Sequence, residues 1–370
     1  MEHIERALEL ARGSPPSRAR ANVLGLAGRL YVLGGRGQEG YLLSQEASQI
    51  ADELSLDDLR AGALNSVALA KSLLGHQDGV AAMEEALAFA ADKSPVEAGR
   101  AYINLASTLV AWGANVRRAR DVRREGLEFT ERFGLDWQVL WLRAELALDA
   151  YRLGDWEEAL ELAARVLADT HRRPHYMEGQ ALALRGLIRA ARGDPAGGRD
   201  DTMRSLEMGR ETGEPQAFEP TLAGAAYVLT QLGSTDEARE LLAELGSTII
   251  DGQDPVPEPW YMPEYALALR ACDADRAAFE IARGRAVGSA WFEAAAAYLD
   301  GEFERAAELM DEIGVVVYAA AAHMAAAEAH LATGGRAEAH AQLERALAFY
   351  RRVDATALIT EAERLLPAAS

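Results

Sequence analysis

The chain has 370 residues, 58 acidic against 38 basic, for a formal charge of −20. That field repels phosphate backbones and anionic bilayers, so neither nucleic acid nor a membrane surface is an expected partner. The lone cysteine, Cys272, excludes an intramolecular disulfide, supplies too few thiolates for a zinc site, and suits a reducing cytoplasm as a small buried residue.

Residues 1–13 read as one amphipathic helix, His3-Ile4-Glu5-Arg6-Ala7-Leu8-Glu9-Leu10-Ala11, without the apolar segment of a signal peptide. It has the pattern of the second helix of a hairpin whose first is missing. It is expected either to cap a repeat array or to follow domains of a longer protein. Ser14-Pro15-Pro16-Ser17 breaks the helix and offers a new N-cap. From 18 to 250 one unit recurs six times: a helix with a small residue, a turn seven residues on, then a second helix with another small residue. The first-helix positions are Ala27, Ala68, Ala106, Ala147, Gly186 and Ala226. The turns are Gly34, Gly75, Gly113, Gly154, Gly193 and Gly233, and the second-helix positions Gly40, Ala81, Ala119, Ala159, Gly198 and Ala238. Small residues facing each other let helices pack closely, and glycine ends a helix in the left-handed conformation.

Two segments interrupt the rhythm. His171-Arg172-Arg173-Pro174-His175 joins the fourth and fifth units, and Pro174 breaks the helix that would align its two histidines on a metal. Residues 251–263 form a connector in which Pro255, Pro257, Pro259 and Pro263 surround Trp260 and Tyr261, favouring an extended path. Residues 264–370 carry three more units, at Ala266, Asp273 and Ala278; Ala294, Gly301 and Ala306; and Ala327, Gly334 and Ala339, with a closing helix. The uncharged run from Ile313 to Ala327 is too short to span a bilayer.

Tyr151-Arg152-Leu153-Gly154-Asp155-Trp156-Glu157-Glu158-Ala159 matches the end of helix A and the start of helix B of the tetratricopeptide (TPR) repeat, and Tyr102-Ile103-Asn104-Leu105-Ala106 matches its helix-A core. The chain resembles a TPR protein over nearly its whole length, with most units longer than the usual repeat of about 34 residues. Longer helices of this kind resemble the sensor segment of maltose-type transcriptional activators. Ala346-Leu347-Ala348-Phe349-Tyr350-Arg351-Arg352 resembles the closing helices of actinobacterial multidomain regulators, in which an ATPase, nucleotide cyclase or DNA-binding domain precedes the repeats. The resemblance implies an all-α, right-handed superhelical solenoid of about nine TPR-like helix-turn-helix repeats. Each repeat would bury its apolar face against its neighbours alone, so that stability adds locally.

It also implies a concave face. Carried onto this chain, the inward positions are Tyr31, Asn65, Trp141, Glu145, Tyr151, Tyr227, Trp260, Glu264, Trp291 and Tyr298. The set is aromatic and short of Lys and Arg. Chaperone-binding TPR domains hold a peptide carboxylate with Lys, Arg and Asn. Here Asn65, Asn104, Arg100 and Arg270 fall in different repeats, so such a clamp is not expected.

No phosphate loop, nucleophile elbow or His-Glu-x-x-His helix occurs, and no cofactor is implied. His323, His330 and His340 read as a surface trio. Arg117, Arg118, Arg120, Arg123 and Arg124 read as a solvated face paired with Glu84, Glu85 or Glu128, with a dock for an acidic group as the alternative. The leading expectation is a non-catalytic module binding a protein, peptide or small molecule on its aromatic face, as the sensor or scaffold part of a cytoplasmic regulator. One alternative is a homo-oligomeric scaffold paired through the Ala-rich stretch from Tyr318 to Ala329. The other is an atypical enzyme with Glu145 or Glu264 as acid/base.

Overall fold

Each small–turn–small segment folds into two antiparallel helices. A computed structural model describes residues 2–170, 175, 177–213, 215–251 and 259–369. Much of the proline-rich connector, including Pro255 and Pro257, and residues 171–174 of the His171 segment lie outside the described residues. Among the described residues there are 20 α-helices and no strand. The single helix α1 (Glu2–Ala11) precedes nine hairpins. The first three are α2 (Arg18–Leu33) with α3 (Gly37–Glu53), α4 (Asp57–Leu73) with α5 (Gly79–Lys93), and α6 (Pro95–Ala111) with α7 (Val116–Arg132). Next come α8 (Asp136–Leu153) with α9 (Trp156–Thr170), α10 (Met177–Ala191) with α11 (Pro195–Thr212), and α12 (Pro215–Gln231) with α13 (Thr235–Asp251). A 3-10 turn, Pro259–Tyr261, leads into α14 (Met262–Ala271) with α15 (Ala277–Arg285). Then follow α16 (Ala290–Leu299) with α17 (Phe303–Ile313), α18 (Val316–Thr333) with α19 (Arg336–Arg352), and the closing α20 (Thr356–Ala369). The chain divides into two compact units. One lies within Met1–Gly113 and Asp121–Leu142, the other within Ala114–Arg120, Arg143–Gly252 and Val256–Ser370.

All nine first-helix small residues are buried. The close approach they permit is plain at glycine. A Cβ on Gly40 would sit 2.6 Å from the Gly28 carbonyl and 2.7 Å from the Val32 nitrogen, and one on Gly198 would sit 2.9 Å from the Ala190 nitrogen. In the second hairpin the register differs from expectation. Ala81 is exposed, and Gly79 makes the close approach, 2.9 Å from the Ser72 Cα. Turns follow the sequence at Gly75, Gly154, Gly193, Gly233, Asp273, Gly301 and Gly334, all with positive φ. The first and third turns run one residue later: Gly35 and Ala114, not Gly34 and Gly113, hold the left-handed position. Ser17 caps α2 as expected, accepting from the Arg20 N–H, and Ser94 before Pro95 does the same for α6.

Within the second unit, contacts reach beyond neighbouring repeats. Arg192, after α10, donates to the Val353 carbonyl at 3.0 and 3.1 Å, and Thr356 Oγ1 donates to the Arg192 carbonyl at 2.7 Å. A Cβ on Gly154 would meet Phe349 at 2.8 Å, and the Trp156 ring stands edge-on to Phe349 at 6.1 Å. The last hairpin thus packs against the α8–α9 and α10–α11 turns, so the expected purely local stacking does not hold in this unit.

The Gly28–Gly40 approach sets a test. Gly40→Ala is expected to destabilise the protein by about 1–3 kcal/mol, because backbone atoms must move. At Gly25 an added Cβ meets Ala47 Cβ at an ordinary 3.7 Å. Gly25→Ala should therefore be neutral or stabilising by up to about 1 kcal/mol. Urea denaturation midpoints compare the two.

Candidate functional site

In the first unit, Tyr31 on α2 lines a cavity of about 280 Å³ with Leu24, Arg12, Arg20 and Glu46. The Arg36 guanidinium lies 3.7 Å from the Tyr31 ring centre and pairs with Glu39 at 2.6 Å. Arg20 pairs with Glu46 and donates to the Ser14 carbonyl. Asn65 is buried, and its carboxamide meets that of Asn104 at 2.9 Å. Arg100 lies on the same helix as Asn104, so three of the four clamp-type residues gather on α4 and α6 rather than scattering. Arg100 is nevertheless engaged, by Glu97 at 2.6 Å and the Gly62 carbonyl at 2.7 Å, and burial lowers its pKa. Trp141 is half-buried and packs on Trp137 with ring centres 5.1 Å apart; Trp137 is 49% exposed.

The Arg-rich stretch divides. Arg120 pairs with Asp155 at 2.6 Å and with Glu158, and Arg117 donates to the Asp311 carbonyl at 3.3 Å. These partners replace the expected Glu84, Glu85 and Glu128 for those two arginines. Arg123 is buried, not solvated. It lies one turn before Gly126, whose missing side chain lets α7 press against Tyr102 of α6.

In the second unit six of the expected residues sit among buried aromatic rings. Tyr151 stacks on Trp156 at 5.6 Å and stands edge-on to Tyr318 at 6.4 Å; Tyr227 meets Tyr318 at 6.3 Å. The Tyr318 hydroxyl donates to Glu264 Oε1. Arg152, 1% exposed, lies over the rings of Trp260 and Trp291 at 5.0 and 5.5 Å and donates to the Trp260 carbonyl at 3.4 Å. Tyr261 donates to Glu219 at 2.6 Å, which fixes the turn that carries Trp260. Trp291 is wholly buried. Tyr298 packs edge-on to Phe303 at 5.3 Å, and burial pushes its hydroxyl up to about 12. Glu145 is half-buried on α8. Burial raises the Glu264 pKa, opposed by the charge of Arg152 and the Tyr318 hydrogen bond.

Trp260 and Glu264 also line a cavity of about 80 Å³ formed mainly by α10, α11 and α12. Met177, Leu184, Leu187 and Met208 make its apolar wall, and Gln180, Ser205, Thr212, Gln216 and Thr221 supply polar groups. Gly179, Ala183 and Gly224 open the space by carrying little or no side chain. Glu264 Oε2 and Ser205 Oγ are buried without a hydrogen-bond partner among the described residues. Sequence reasoning missed Arg152 and Tyr318 as the partners of Trp260 and Glu264.

The remaining chemistry is structural. Much of the Ala-rich stretch of α18 expected to pair copies is buried within the chain: Tyr318, Ala322 and Ala327 are inaccessible, and the small alanines let α17 and α19 pack closely, while Ala329 is exposed. His323 bonds Gln342 at 2.7 Å, Gln342 donates to Glu304 at 2.8 Å, and His330 meets Glu304 at 3.1 Å. Among the described residues no group of three or more His, Cys, Asp or Glu is placed to hold a metal, and no helix is long and apolar enough to cross a membrane. Cys272 is buried, which pushes its thiol pKa up.

No family model matches the chain, and no curated protein matches it. Solved structures do. A Rap protein complexed with competence and sporulation factor is 11% identical, covering 94% of this chain and 97% of its own, with a TM-score of 0.54. The apo quorum sensor NprR from B. thuringiensis is 14% identical over 94% of this chain and 92% of its own, at 0.48. The TPR domain of P58(IPK) is 16% identical over 99% and 98%, at 0.23. The first likeness is one of fold, and the other two scores are too low to add to it. With the nine hairpins, it shows that the fold is all-α and TPR-like, built of helical repeats.

The buried carboxyl gives a test. A group whose folded pKa is raised contributes stability that is full below its unfolded value, 4.5 for Glu264, and lost as pH rises through the folded value. The urea midpoint of the wild type should therefore fall relative to Glu264→Gln as pH rises above 4.5. A constant difference across pH would contradict the raised value.

Proposed function

We propose that this chain is a non-catalytic binding module, the sensing part of a regulatory protein, and that its ligand site is the cavity between α10, α11 and α12. The observation that carries the reading is the cavity's composition. An apolar wall with a few polar groups is the usual make-up of a ligand site. Trp260 and Glu264, both inward positions in the TPR pattern, are the proposed ligand contacts. The buried Tyr151, Tyr227, Trp291 and Tyr298 support them from behind. The fold likeness to a Rap protein solved with competence and sporulation factor is in keeping with a protein or peptide segment as the natural ligand.

Gly224 supplies the test. It lines the cavity, and a Cβ added there meets nothing within 4 Å. Gly224→Leu should fill the space while leaving helicity and the urea midpoint near wild type. In ligand-observed NMR with a panel of small alkyl and aryl fragments, signals seen with the wild type should disappear with the variant. A folded variant that binds the same fragments equally well would remove this cavity as the site.

A further inference from the structure

The structure assigns a second binding site to the cavity of the first unit, between α1, α2 and α3: it receives an apolar carboxylate, with the hydrocarbon body inside and the acid group on Arg12 at the mouth. The site is separate from the cavity between α10, α11 and α12 and does not depend on that one binding anything. Its floor is apolar, made by the buried Leu8, Ala11, Leu24 and Tyr31. Leu42, 55% exposed, and the exposed Arg12 stand where the cavity opens to solvent. A closed apolar cavity of about 150 Å³ takes a benzene ring, so this one, at about 280 Å³, has room for a chain of about eight carbons or a two-ring body.

The charged groups of the lining decide the ligand's sign. Arg12, Arg20 and Arg36 face Glu39 and Glu46 there, and all but one are matched. Arg36 holds Glu39 through Nε and Nη2 at 2.8 and 2.6 Å and lies over the Tyr31 ring at 3.7 Å. Arg20 holds Glu46 and donates to the Ser14 carbonyl, which fixes the link between α1 and α2. Arg12 differs: its side chain makes no hydrogen bond or ion pair among the described residues. Its N–H bonds the Leu8 carbonyl at 2.9 Å, so the turn of helix continues and the two side chains share one face. The lining thus carries one uncompensated positive charge beside an apolar floor. A guanidinium takes a carboxylate with two parallel N–H donors, a stronger bond than one between neutral groups. A cationic ligand would meet Arg12 as a like charge and find both carboxylates taken. A phosphate monoester, with a charge of about −1.5 to −2, exceeds what one guanidinium balances.

Octanoate, octan-1-ol and octylamine share one apolar body and differ in the polar end. Ligand-observed NMR titrations at about pH 7 should show octanoate binding at least about tenfold tighter than octan-1-ol, and octylamine no tighter than the alcohol. Arg12→Gln changes an exposed side chain and should leave the urea midpoint near wild type. It should bring octanoate down to the level of octan-1-ol, whose own affinity stays within about twofold. Gly224→Leu, which fills the other cavity, should leave octanoate binding as in the wild type. Loss of octanoate binding in Gly224→Leu would place it between α10, α11 and α12 and overturn this assignment. The alcohol or the amine binding as tightly as octanoate, or octanoate unchanged in Arg12→Gln, would overturn it too, as would binding by none of the three. N-acetyl-leucyl-leucine and its C-terminal amide tell the source of the acid group. The dipeptide acid binding tighter than both its amide and octanoate would make the ligand a peptide chain end; octanoate binding tighter would make it a free aliphatic acid, and either result upholds the site.

Discussion

Close helix approach at small residues is the constraint on which the rest of this structure depends. Where Gly40 faces the Gly28 carbonyl, or Gly198 faces the Ala190 nitrogen, no room remains for a single methyl group. Helices held so close bury backbone against backbone, and larger side chains are pushed to the flanks. There they form the aromatic and aliphatic layers between hairpins. The buried polar network of the second unit follows from this. Arg152 and Glu264 are tolerated inside because Trp260, Trp291 and Tyr318 surround them with faces and edges suited to charge. A buried charge without such surroundings would cost several kcal/mol, on the order expected for an uncompensated ion.

The same small residues create the cavity. Gly179 on α10 and Gly224 on α12 leave space that their neighbours do not fill. Packing glycine and cavity glycine look identical in a sequence. They differ in what stands opposite: at Gly209 a Cβ would strike Thr221 Oγ1 at 2.5 Å, whereas at Gly224 it meets nothing within 4 Å. One set sets the spacing of the helices and the other leaves a hollow between them.

The hairpins themselves were legible because their determinants are local. Gly154 and Gly193 hold positive φ where the spacing put turns. Asp273 does so too, at a position where glycine is absent, since an Asp side chain tolerates the left-handed region. The first turn escaped by one residue because Gly34 and Gly35 are adjacent and either satisfies the pattern. The shift from Ala81 to Gly79 has the same origin, two small residues within one turn of helix. Of the residues lining the cavity, Trp260 and Glu264 were among the positions that the TPR pattern put inward. Arg152 was not: it sits in the repeat motif next to Tyr151, and its burial depends on rings from two distant segments. The cavity wall was not readable either, because absent side chains leave no pattern.

The clasp between Arg192 and residues 353–356 changes how this unit responds to force or ligand. In an open stack, a disturbance at one hairpin decays through each interface in turn. Here the α10–α11 turn, which ends two of the helices lining the cavity, bonds directly to the start of α20 through Val353 and Thr356. Segments separated by 164 positions in the chain are therefore mechanical neighbours. A tilt of α10 would therefore be felt at the start of α20 directly, without passing through the hairpins from α12 to α19.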